Sequence, residues 1–132
     1  MAELTPDEIE WLTVLETGRF PDGTPARQGH RYLNVEGRMC CIGVRCELDA
    51  RNGRTMLRLQ QGAFTTYKDI SAGYVDAFAV TTAPAIITNK RWGWDTTQGH
   101  TPIMEQLISW NDSDGLEFPA IAQAYREWKA AQ

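Results

Sequence analysis

Residues 40–50 read CCIGVRCELDA and hold all three cysteines of the chain, Cys40, Cys41 and Cys46, within seven positions. Cys41, Val44 and Leu48 fall three and four apart, and Cys40 and Val44 fall four apart, which is the spacing of one helical face. The stretch therefore predicts a short buried helix. Gly43 disfavours that helix by about 1 kcal/mol relative to alanine, but a residue without a side chain suits close approach of another element. A structural zinc site needs four Cys or His ligands arriving as two close pairs. Here two cysteines are adjacent, the third follows five positions later, and His30 and His100 are remote. No C-x-x-C redox motif occurs either. Free cysteine packs as a small hydrophobe, so the three thiols are expected to be buried, reduced and metal-free. A Cys46–histidine nucleophile pair is the chemical alternative.

Outward from this block, 132 residues are enough for a single domain with one real core. Hydrophobic residues make up 42% and charged residues 23%, as in an ordinary globular protein. The start, MAELTPDEIEWL, is acidic and lacks the basic and apolar regions of a secretory signal. No apolar run approaches the roughly 18–20 residues that cross a bilayer. These features place the chain in the cytoplasm, where stable disulfides are uncommon. The formal charge of −4 argues against long nucleic acid as a partner. Seven arginines nevertheless crowd residues 27–58, a segment without lysine.

Thr5-Pro6-Asp7-Glu8 has the spacing of a capping box with proline at the first helical position. Ile9, Leu12 and Leu15 follow at helical spacing, flanked by Trp11 and Val14, and Gly18 is a natural stop. Residues 19–38 carry repeated proline and glycine and read as loop, with a short extended piece at RYLNV, residues 31–35. TMLRLQQGAFTTY, residues 55–67, reads as a hairpin around Gln61-Gly62, and YVDAFAV, residues 74–80, as a third strand. Short helices are expected after Pro84 and from Thr101-Pro102, the latter with Ile103, Met104, Leu107 and Ile108 inward. Phe118, Ile121, Ala122, Tyr125 and Trp128 mark a last amphipathic helix. The expected architecture is α+β, a helix-rich single domain over residues 1–132 with a small antiparallel hairpin or three-stranded sheet.

Trp11, Leu12, Leu15, Gly18 and Phe20, then CCIGVRCE, then Asn111-Asp112, then Gly115, Phe118, Ile121 and Ala122 form an ordered set of motifs. This set resembles a group of small uncharacterised bacteriophage proteins. Their corresponding segments are a WL-x-x-L-x-S-G helix, a CCLGV-x-C-D/E block and an LND-x-G-x-SF-x-x-IA tail. The similarity covers about half the chain, with Thr17 in place of the usual serine and a proline-rich loop after Phe20. It implies a phage origin and a life in the bacterial cytoplasm, and it supplies no active site.

Among the remaining candidates, WNDSDGLEF, residues 110–118, invites a calcium loop. Aligning Gly115 with the loop glycine puts Trp110 at position one and Ile121 at position twelve, where acids are required. Calcium therefore fails, and Asn111 to Asp114 read as a turn presenting the last helix. Acid–base work by Asp112 and Asp114 is the functional alternative. NKRWGWDTT, residues 89–97, sets Trp92 and Trp94 beside Lys90 and Arg91. Two indoles and two cations suit a stacked base and its phosphates, although indoles more often plug a core, here beside the last helix.

The sequence therefore points to a non-enzymatic phage accessory binder without a cofactor. It would sequester a nucleotide-type host defence signal through Arg31, Lys90, Arg91, Trp92 and Trp94, in a pocket completed by a homo-oligomer. The other readings are an inhibitor that binds a host protein, and a small hydrolase using Asp112 and Asp114 or a Cys46–histidine pair.

Overall fold

The computed structural model describes residues 2–54, 56–69 and 102–132. The expected third strand at 74–80, the helix after Pro84, and Lys90, Arg91, Trp92 and Trp94 lie outside the described residues.

Helix α1 spans Pro6–Thr17 and opens on the capping box read from the sequence. The Glu8 amide donates to the Thr5 hydroxyl at 3.1 Å, and the Thr5 amide donates to the Glu8 carboxylate at 2.9 Å. Gly18 ends it at φ +72°, a conformation that costs glycine nothing, and its N–H donates to the Val14 carbonyl. The loop that follows contributes β1 (Arg27–Gln28) and β2 (Arg38–Met39), which pair in parallel. The extended piece expected at 31–35 is thus displaced to either side, although Val35 makes isolated bridges to Arg38 and Phe64.

Helix α2 spans Cys41–Arg51, and every residue from Cys41 to Asp49 is buried. The buried-helix reading holds, and burial extends around the whole circumference to Arg45, Glu47 and Asp49. Gly43 is where the chain crosses: a Cβ built there would lie 1.8 Å from the Leu33 carbonyl oxygen. The hairpin follows as β3 (Met56–Gln61) and β4 (Phe64–Asp69), antiparallel, turning through Gly62 at φ +64°.

Helix α3 (Pro102–Ile108) runs into a single π-helical turn at Ser109–Ser113, and α4 spans Phe118–Ala130. Helix α4 packs along α1, and α2 lies between α1, α3 and the hairpin. One continuous core joins them, built from Trp11, Leu12, Val44, Met104, Leu107 and Tyr125 among others. The indole N–H of Trp11 donates to the Cys41 carbonyl at 2.9 Å, and its ring meets Tyr125 edge-on at 4.9 Å. Glu8 is buried beneath α4, where the Tyr125 hydroxyl donates to it and the Lys129 ammonium sits 3.1 Å away. Together these elements make the helix-rich α+β arrangement expected from the sequence. No helix among the described residues is long and apolar enough to cross a membrane.

Candidate functional site

Glu47 and Arg51 are four apart on α2, so they rise from the same face. In the hairpin ladder Arg58 pairs with Tyr67 and Gln60 with Thr65, which sets all four side chains on one face of the ribbon. That face meets α2 at Glu47. The Glu47 carboxylate is 4% exposed, yet four donors surround it. Arg51 Nε reaches it at 2.7 Å, the Tyr67 hydroxyl at 2.7 Å, and Arg58 through Nε at 2.9 Å and Nη2 at 2.5 Å. A carboxylate has about four lone-pair positions, so Glu47 is saturated. Burial opposes its charge, but the bonds from Arg58, Arg51 and Tyr67 prevail and hold its pKa below the ordinary value. Glu47 is an ionised anchor and has no acceptor left to serve as a base.

This cluster floors an open recess of about 500 Å³, a small-molecule dimension. One wall is the segment around Asn34, tied to the hairpin by a 2.9 Å bond from the Thr65 amide to the Asn34 carbonyl. Thr24, Pro25, Arg27 and Met39 also line it, as does the exposed Glu36, whose carboxylate has no ion-pair partner among the described residues. Most polar groups of the wall bond to one another. Asn34 donates to the Tyr67 hydroxyl and accepts from the Gly37 amide. Gln60 donates to the Gly62 carbonyl and accepts from the Thr65 hydroxyl. Arg51 also reaches Asp22 and Thr24 through Nη1, and its guanidinium lies 4.0 Å above the Phe20 ring. Two cationic groups that line the recess keep donors without a partner among the described residues: the outer edge of Arg58, whose side chain is 44% exposed, and the exposed Arg27.

The arginine-dense segment thus divides. Arg45 is buried with its guanidinium 5.2 Å from the Trp11 ring centre, and Arg54 bridges Asp7, Glu10 and Asp49. Arg31, the expected phosphate ligand, is exposed at φ +72°, and its backbone N–H donates to Asp112 at 2.9 Å. It does not line the recess.

Asp112 also accepts from Asn111 at 2.8 Å. Asn111 is fully buried; it donates to the Gly29 carbonyl at 3.0 Å and accepts from Gln28 at 2.9 Å. Gln28 also donates to the Leu116 carbonyl and accepts from the Phe118 amide at 3.1 Å, one of the donors left open at the start of α4. The Asn-Asp motif therefore clasps the π-helical turn and α4 to the loop at 28–31, while Asp114 is exposed in the following turn.

The cysteines are buried as expected. Cys40 caps α2, its sulfur accepting from the Gly43 amide at 3.4 Å, and Cys41 points its thiol at the Leu107 carbonyl. Burial pushes the Cys40 pKa up to about 12 and that of Cys41 well above its ordinary value. Neither forms a nucleophilic thiolate near neutral pH. Cys46 is fully buried whereas His30 is exposed, and His100 lies outside the described residues.

Sequence reasoning missed Glu47, Arg58 and Tyr67. The available signals were the i, i+4 acid–arginine pair on α2 and the strict alternation of the hairpin. Comparison of the chain with protein families, curated proteins and solved structures found no match.

Proposed function

We propose that this chain is a non-enzymatic binding protein that captures a small anionic molecule of the nucleotide type in the recess beside the hairpin. The observation that carries the reading is a pair of guanidinium groups on a small-molecule-sized recess, Arg27 and the outer edge of Arg58, with donors that have no partner among the described residues and only the exposed Glu36 carboxylate to oppose them. Guanidinium is the side chain best matched to phosphate oxygens. The resemblance to bacteriophage proteins supports a role in the bacterial cytoplasm, sequestering a nucleotide-type defence signal. Trp92, Trp94, Lys90 and Arg91 would add stacking and charge, and a homo-oligomer would close the open side.

Calorimetry of the pure protein against linear and cyclic nucleotides tests this, with gel filtration for assembly. Ligand recovered chemically unchanged after denaturation supports a binder, whereas turnover would make the protein an enzyme. If none of the nucleotides binds, the small-molecule reading goes. Capture of a host protein then takes its place, a reading favoured by Leu57 and Leu59, two apolar residues 48% and 36% exposed on the same face of β3.

A further inference from the structure

The guanidinium of Arg58 has two usable edges, and only one is occupied by a described residue. Its inner edge, Nε and Nη2, grips the two oxygens of Glu47 as a bidentate fork at 2.9 and 2.5 Å. The outer edge, Nη1 with the second proton of Nη2, has no partner among the described residues. Glu47 is itself immobilised from α2 by Arg51 and from β4 by Tyr67, whose hydroxyl Asn34 also holds. The orientation of Arg58 is therefore set by three separate parts of the chain. A surface arginine ordinarily loses considerable side-chain entropy on gripping a ligand; here that ordering is already in place.

A second observation points the same way. Arg27 and Arg38 are register partners across the β1–β2 pair, both are exposed, and neither has an ion-pair partner among the described residues. Like charges directly opposite one another in a ladder repel, and Arg27 borders the recess that Arg58 enters.

We infer that the outer edge of Arg58 is a pre-set docking fork for an oxyanion with two free oxygens, a phosphate group foremost, with Glu47 as its positioning residue and Arg27 as the second cation. This rests on the binding role proposed for the recess and identifies the atoms and the chemical class it takes. It also makes a counter-intuitive claim about sign. By charge alone, neutralising Glu47 should strengthen anion binding. By the positioning argument it weakens binding: the amide of a glutamine presents N–H groups to the two guanidiniums and releases the fork.

The test is calorimetric titration of inorganic pyrophosphate and adenosine 5′-monophosphate into the wild-type chain and into Glu47→Gln, Arg58→Lys and Arg58→Ala. The expected result is binding by wild type and a loss of about tenfold or more in each variant. Lysine, which keeps the charge but not the fork, should fare no better than alanine. Equal or tighter binding by Glu47→Gln, or full affinity in Arg58→Lys, overturns the inference. Should Glu47→Gln fail to fold, nitrogen-resolved NMR of wild-type Arg58 decides in its place. Pyrophosphate should shift the Nη signals and leave Nε, held by Glu47, in place; unshifted Nη signals overturn the fork. Wild type silent to every anion removes the proposed function as well. Wild type that binds through other residues removes the fork alone.

Discussion

Replacing Gly43 by alanine sets two opposing effects against each other. Alanine is the better helix former, by up to about 1 kcal/mol in a helix interior, so propensity alone predicts stabilisation of α2. The packing predicts the reverse. The added Cβ would lie 1.8 Å from the Leu33 oxygen, 2.7 Å from its carbonyl carbon and 2.9 Å from its Cα. These are backbone atoms and cannot rotate away. Real Cβ contacts do not fall under 3.0 Å, so Leu33 or α2 must retreat by more than about 1 Å. Leu33 lies between two anchored neighbours: the Tyr32 carbonyl accepts from Cys40 and the Asn34 carbonyl accepts from Thr65. Overpacking costs about 1–3 kcal/mol, and a clash this deep with fixed backbone takes the upper part of that range, about 2–3 kcal/mol, which leaves a net loss of about 1–2 kcal/mol after the gain in propensity. For a domain of this size that lowers Tm by about 3–8 °C. Thermal unfolding followed by circular dichroism measures it, and amide exchange at Cys40 and Thr65 should quicken in the variant. A Tm equal to or above wild type would refute the packing argument.

Acid should unfold the protein through Glu8 and Glu47. At both, burial opposes the charge but bonded donors win, so the folded pKa lies below the ordinary 4.5. Stability from a lowered carboxylate pKa is present above the unfolded value and lost as pH falls through the folded one. Urea midpoints should therefore decline below about pH 4.5, and the deficit of Glu47→Gln relative to wild type should narrow there; a constant deficit across that range would refute the linkage. Native protein should resist thiol-labelling reagent at pH 8 and take up three equivalents in denaturant; rapid native labelling would contradict the burial of the cysteines. Asn111→Ala leaves Gln28 and the Gly29 carbonyl without a partner they now have, at about 1–3 kcal/mol, and urea unfolding with no loss would show that the clasp contributes little.

Local chemistry was readable in the sequence, and long-range pairing was not. The capping box at Thr5, the stop at Gly18 and the spacing of Cys41, Val44 and Leu48 each depend on neighbours within a turn or two, and each is found where expected. The hairpin was also legible, although its loop is Gly62-Ala63, so Arg58 pairs with Tyr67. Reading the loop as Gln61-Gly62 would pair Arg58 with Thr65 instead. The arginine density was seen but not its distribution, because Glu10, which claims Arg54, Glu47, which claims Arg58, and Asp22, the second carboxylate on Arg51, sit on other parts of the chain. Glu47 reads as an ordinary exposed helix residue, since charged side chains are seldom buried without partners. Its partners are 11 and 20 residues away, at Arg58 and Tyr67. Asn111 looked like turn chemistry, but its partners Gln28 and Gly29 lie more than 80 residues earlier.

The clamp between α1 and α4 bears on how the protein is made. Glu8 leaves the ribosome more than a hundred residues before Tyr125 and Lys129, which neutralise and bond it. Until then the burial of Trp11, Leu12 and Leu15 against α4 is incomplete, and Glu8 has no reason to leave water. A nascent chain therefore cannot reach its final core by folding its first half and adding the rest. A message cut short before Phe118 would yield a product with an apolar seam open to chaperones and proteases. The last helix thereby acts as a proofreading step, in which only chains that carry α4 close.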